Sequence, residues 1–184
     1  MTSNAESTGK VITPVSIRRL IIITLLSCLS QIGIDLFLGG GLFSKLWLES
    51  NGLFLPPEKM LKLIPLGYLS FLISSSLLVW LMVGLAISGW KQGTLFGLKI
   101  GGIISSAGAL GIASVFPVKP VHVIVLLFVG IIQNSIAAMV IGSGLGGARL
   151  GRLFVKVIVL VLISAILVLI MQILGMATAM NYSK

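Results

Sequence analysis

Carboxylates, histidine and cysteine are all scarce in this 184-residue chain, which holds four Asp and Glu, one His and one Cys. Each scarcity excludes a class of chemistry. With Cys28 alone, an intramolecular disulfide is impossible and a thiol relay has no second sulfur, so this residue reads as a small buried apolar side chain. The sequence contains no H-E-x-x-H, no paired carboxylates on a helix, no Ser and His on a shared path with an acid, and no Cys and His metal spacing. No enzyme, metal or cofactor is expected. Charge is scarce too: charged residues are 9% of the chain against 57% hydrophobic ones, where soluble proteins carry roughly a quarter charged. With a mean hydropathy of +1.18, most of this chain has lipid as its solvent.

A formal net charge of +9 would fit nucleic acid in a soluble domain, so the distribution of the thirteen Lys and Arg decides its meaning. They sit singly or in pairs beside apolar stretches, with no basic run and no interleaved stacking aromatics. Nucleic acid is excluded as a partner on that pattern. The partners expected are the lipid bilayer and another membrane protein or a second copy of the chain.

Five long apolar stretches predict an all-α membrane protein, a bundle of five transmembrane helices over 17–177 with spans at about 17–38, 61–88, 94–116, 121–142 and 153–177. Each is long enough to cross roughly 30 Å of hydrocarbon at about 1.5 Å per residue. Residues 1–16 read as a disordered cytoplasmic tail and 178–184 as an outer tail. The first stretch exceeds a signal-peptide h-region of roughly 7–15 residues and ends in Gly39-Gly40-Gly41 without an A-x-A-like site, so it reads as a retained anchor. With the N-terminus cytoplasmic, the inner side receives Lys10, Arg18, Arg19, Lys91, Lys99, Arg149, Arg152 and Lys156. The outer side receives Lys45, Lys59, Lys62, Lys119 and Lys184, a count of eight against five. All four Arg are inside, which predicts N-in and C-out in a prokaryotic plasma membrane or a thylakoid.

The loop after the first span predicts a short interfacial helix on the outer side, because Leu42, Phe43, Leu46 and Trp47 share one helical face while Ser44, Lys45, Glu49, Ser50 and Asn51 occupy the others. Pro56-Pro57-Glu58 restarts the chain as a helix, and Pro65 is expected to kink the start of span two. Phe116-Pro117-Val118-Lys119-Pro120 leaves room only for a tight hairpin, which makes spans three and four antiparallel neighbours.

Span three carries small residues at every fourth position, Gly93, Gly97, Gly101, Ser105, Ala109 and Ala113, and span four offers Gly130, Asn134, Ala138 and Gly142. Such stripes allow two helix backbones to approach closely in lipid, so these residues form the expected helix-packing stripe. Asp35 is the only acid inside a span, and an intramembrane carboxylate is a functional candidate by default. It lies sixteen residues beyond Arg19, about 24 Å along the helix. That places it near the outer headgroups, where it reads as a solvated interfacial carboxylate or, because His122 at the start of span four has a matching depth, as the partner of His122, whereas Lys99 lies only about 9 Å from the inner face. Gln31, Gln133 and Asn134 complete the candidate polar site. Together with Ser74, Ser75, Ser76, Ser105 and Ser106 they lie near mid-membrane, where amides and hydroxyls must find partners inside the bundle. Gly142-Ser143-Gly144-Leu145-Gly146-Gly147 matches G-x-G-x-x-G but follows a transmembrane helix rather than a strand. It reads as the flexible turn between spans four and five, with Arg149 and Arg152 facing anionic lipid. Span five, almost uniformly aliphatic, reads as a lipid-facing wall.

An acid closing span one, an aromatic loop, then Gly89-Trp90-Lys91-Gln92-Gly93 leading into Gly97 and Gly101 resembles uncharacterised small multi-pass membrane protein families of prokaryotes, over about residues 17–142. The resemblance implies a membrane bundle and no activity. The leading functional expectation is an assembly or accessory subunit that docks through close helix packing onto another membrane complex or itself. The alternative is a small transporter or channel working as a homo-oligomer.

Overall fold

A computed structural model describes residues 15–48 and 57–178. The terminal tails and the polar part of the first loop, with Glu49, Ser50, Asn51 and Pro56, fall largely or wholly outside these residues. The described chain is all-helical: α1 (Ile17–Asp35), a π-helical segment π1 (Leu36–Leu42), α2 (Ser44–Leu48), α3 (Pro57–Gly84), α4 (Trp90–Val115), α5 (Pro120–Leu145) and α6 (Leu150–Ile173). Among the described residues, five helices are long and apolar enough to cross a membrane, Ile17–Leu42, Lys62–Gly84, Trp90–Val115, Pro120–Leu145 and Leu150–Ile173.

Local chemistry explains most of the boundaries. Ser16 caps α1 by accepting the Arg19 N–H at 3.3 Å. Pro120 opens α5 in the first turn, where its missing N–H costs nothing. α6 stops at Ile173 because Gly175 takes a left-handed φ of 68°, and the Met176 N–H returns to the Met171 carbonyl at 2.8 Å. Span five thus ends before the expected residue 177, and it begins at Leu150 rather than residue 153. The second span ends at Gly84 rather than residue 88, since Ala86 turns the chain at φ 54°. α3 continues through Pro65 as one helix.

The glycine triplet does not end the first span. Gly39, Gly40 and Gly41 lie within π1, which carries the helix on to Leu42, so this span is four residues longer than the sequence reading. Likewise Gly142 and Gly144 belong to the last turns of α5, and the turn to α6 is confined to Gly146 through Ala148, with Gly147 at φ 88°.

α1 and α5 form the centre. α3 packs on both, α4 runs chiefly along α5, and α6 lies against α1 and π1. One core cluster joins Ile23 of α1, Leu78, Val79 and Met82 of α3, and Ala137, Ala138 and Ile141 of α5, with Phe96 and Ile100 of α4 packed onto it. A second joins Leu26, Val140, Leu153 and Val157 of α1, α5 and α6. Both clusters lie towards the face on which α1 begins. Towards the opposite face α3 and α4 are open: residues 62–70 and 110–117 are all exposed.

Candidate functional site

A helix places residues i, i+4 and i+8 on one face, and α1 puts Ser27, Gln31 and Asp35 at that spacing. All three point into the bundle. The Ser27 hydroxyl reaches the Ala137 carbonyl of α5 at 3.4 Å and receives a hydrogen bond from Ser75 of α3 at 3.1 Å. Two turns along, Gln133 Nε2 of α5 donates to Asp35 Oδ1 at 2.8 Å. Between these ties lies Gln31, 1% exposed, whose Oε1 has no hydrogen-bond partner among the described residues. The row therefore combines a half-buried carboxylate, one amide donor and one buried amide acceptor. Such a set can exchange a proton or receive a small cation. Among the described residues, no three His, Cys, Asp or Glu side chains gather as metal ligands.

Asp35 pairs with Gln133, not with His122. His122 is buried and its Nε2 lies 3.2 Å from the Leu46 carbonyl, with its ring 6.1 Å from that of Trp47. The reason is depth. Because the first span runs to Leu42, Asp35 sits about two turns inside its end, level with a residue eleven positions beyond His122, or about 16 Å deeper along α5. The interfacial helix is likewise tied to α5 rather than lying on lipid alone.

Adjacent residues of α5 serve different neighbours. Gln133 faces α1, while Asn134 accepts from Ser74 of α3 at 3.5 Å, donates to its own Gly130 carbonyl at 2.8 Å, and sits under Gly97 and Gly101 of α4. The small-residue stripes meet along this line. A Cβ added at Gly97 would lie 2.6 Å from the Asn134 carbonyl oxygen and 2.7 Å from Ser135 Cα. At Gly93 it would strike the Ala138 carbonyl, at Gly130 the Ser105 hydroxyl, and at Gly142 the Gly89 carbonyl oxygen at 2.5 Å. The Gly89 N–H donates to the Gly142 carbonyl at 2.7 Å, so the backbones themselves are bonded. Ala109 is buried, but Ala113 is exposed and lies beyond the seam.

Two structural elements were not foreseen from the sequence. Arg19, read there only as a topology charge, grips the end of α5: its Nε and Nη2 donate to the Gly144 carbonyl at 3.2 and 2.9 Å, and Nη2 also donates to the Ala148 carbonyl at 2.8 Å. The Gly144 carbonyl, in the last turn of α5, also accepts the Gly147 N–H at 3.4 Å, and the Ala148 carbonyl lies in the turn beyond; a guanidinium fork bridges the two. The second element is the seat of α6 on α1. A Cβ at Gly33 would lie 2.9 Å from Val161 Cγ2, and one at Gly41 would lie 3.2 Å from Val168 Cγ2. Span five is accordingly lipid-facing on one side only, with Val157, Ser164 and Val168 buried on the other.

No protein-family model matches the chain, and no curated protein or solved structure shows significant similarity to it. Fold and composition define the class: an integral multi-pass membrane protein, all-α, with five candidate spans.

Proposed function

We propose that the protein is an assembly or accessory subunit of a membrane complex, docking through α4. The observation that carries this reading is the part of α4 near its C-terminal end. Eight of the ten residues 105–114 are Gly, Ala or Ser, and among them Ala107, Gly108, Gly111, Ala113 and Ser114 are exposed. A Cβ at Gly108 or Gly111 would meet no atom within 4 Å. Lipid contact alone is served by large aliphatic residues, as on α6, whereas a face of small residues lets a second helix approach closely. The partner is another membrane protein or a second copy of this chain. Arginine placement supports a cytoplasmic N-terminus in a prokaryotic plasma membrane or a thylakoid.

Native mass spectrometry of the tagged protein, extracted gently from its own membrane, tests this. A heteromeric or homo-oligomeric mass that Gly108→Leu and Gly111→Leu reduce to the single chain is expected. A complex indifferent to both substitutions, or a lone chain from the start, would refute docking through α4. Protease protection of a tag at Lys184 in intact cells would overturn the orientation.

A second reading, a small transporter or channel, is favoured by the Asp35 and Gln133 pair lying beside π1, since π-helical turns recur at functional sites. Proteoliposome flux that Asp35→Asn abolishes is its test.

A further inference from the structure

At the face where α1 begins, α5 and α6 diverge around a groove of about 780 Å³, a size that suits a small-molecule ligand. Its mouth carries Arg149, Arg152 and Lys156, and its depth is lined by Met139, Val140, Val157 and Leu160. The three cations stand at i, i+3 and i+7 and share one side of α6. Their position is electrostatically adverse. Arg149 is the N-cap and Arg152 is in the first turn, where the helix dipole disfavours positive charge. Among the described residues, no carboxylate offsets them nearby. The sequence has no Asp or Glu after Glu58, and the two acids among the described residues, Asp35 and Glu58, lie towards the other face of the bundle.

We propose that this groove binds an anionic phospholipid, with the phosphate held among Arg149, Arg152 and Lys156 and an acyl chain laid along Val140, Val157 and Leu160. Charge and shape both select that ligand. A phosphate neutralises three clustered cations and complements the start of α6, while the apolar depth of the groove continues towards the hydrocarbon and suits a chain rather than a soluble anion. Trp90, on the rim of the same groove and 57% exposed, has the amphipathic ring found at headgroup level. This site is independent of the docking face on α4.

The test uses the full-length protein, delipidated in detergent, with melting temperature and native mass recorded against added lipid. Phosphatidylglycerol is expected to raise the melting temperature and remain bound at one per chain, whereas phosphatidylcholine and inorganic phosphate do neither. At about fivefold per removed charge, the triple variant Arg149→Gln, Arg152→Gln, Lys156→Gln should need on the order of 100-fold more phosphatidylglycerol for the same effect. Lys62→Gln, towards the other face, should behave as the parent. Met139→Trp fills the groove without altering charge and should also expel the lipid, which keeps the test decisive if the triple variant fails to fold. Equal stabilisation by phosphatidylcholine, a full effect from inorganic phosphate, or unchanged lipid retention in either groove variant would overturn the proposal.

Discussion

Gln133 donates from Nε2 to Asp35 Oδ1 at 2.8 Å, joining α5 to α1 about two turns inside the end of the first span. Lipid supplies no replacement donor at that depth. Gln133→Leu is therefore expected to destabilise the protein by about 1–3 kcal/mol, because it strands the carboxylate rather than merely deleting a bond. Asp35→Asn should cost less, since an amide can still accept from Gln133. Unfolding in detergent of both single variants and the double variant measures the coupling. A coupling of zero would mean that the bond contributes nothing.

The α4 glycines divide into two sets by what surrounds them. Gly97→Ala should lower stability by about 1–3 kcal/mol, because the new methyl meets the Asn134 carbonyl and Ser135 backbone, which cannot rotate away. Gly111→Ala meets open space and should be neutral or slightly stabilising, given alanine's better helix propensity. Parallel thermal melts check the contrast. Equal losses at both positions would contradict the close approach of α4 and α5.

Arg19 and Arg18 are neighbours in sequence with different roles. Arg18 is exposed, whereas Arg19 donates to one carbonyl at the end of α5 and to one in the turn beyond it. Arg19→Ala is expected to cost about 1.5–3 kcal/mol and to make the turn after α5 protease-sensitive. Arg19→Lys should rescue only part of this, for an ammonium lacks the planar fork. Arg18→Ala should leave both stability and cleavage unchanged.

Ser44 ties the chain beyond α6 to the start of α2. Its hydroxyl donates to the Gly41 carbonyl at 2.8 Å and accepts the Thr178 N–H at 3.2 Å. In Ser44→Ala, hydrogen exchange at Thr178 should accelerate about fivefold or more, the factor expected when a bond of about 1 kcal/mol is lost. Exchange in the middle of α5 should not change.

The number and rough limits of the spans, the antiparallel hairpin of α4 and α5, and the small-residue seam between them were legible in the sequence. Each is set by composition over short stretches: apolar length, two prolines in a five-residue connection, and glycines four apart. A helix needs no distant partner to satisfy its backbone in lipid, so local sequence suffices.

What sequence spacing could not decide were phase and depth. In an uninterrupted α-helix, seven residues make just under two turns, so Gly40 rather than Gly41 would share a face with Gly33. The wider turns of π1 delay the rotation by about one residue and bring Gly41 against Val168, one face of α6 thereby meeting both glycines. The same extension left Asp35 seven rather than three residues from the end of the first span, beside Gln133 instead of His122. The sequence by itself determined that this chain is a five-span bundle with a close α4 and α5 pair. Tertiary structure decided which glycine is a contact and which amide meets the carboxylate, because both depend on helix winding and axial register.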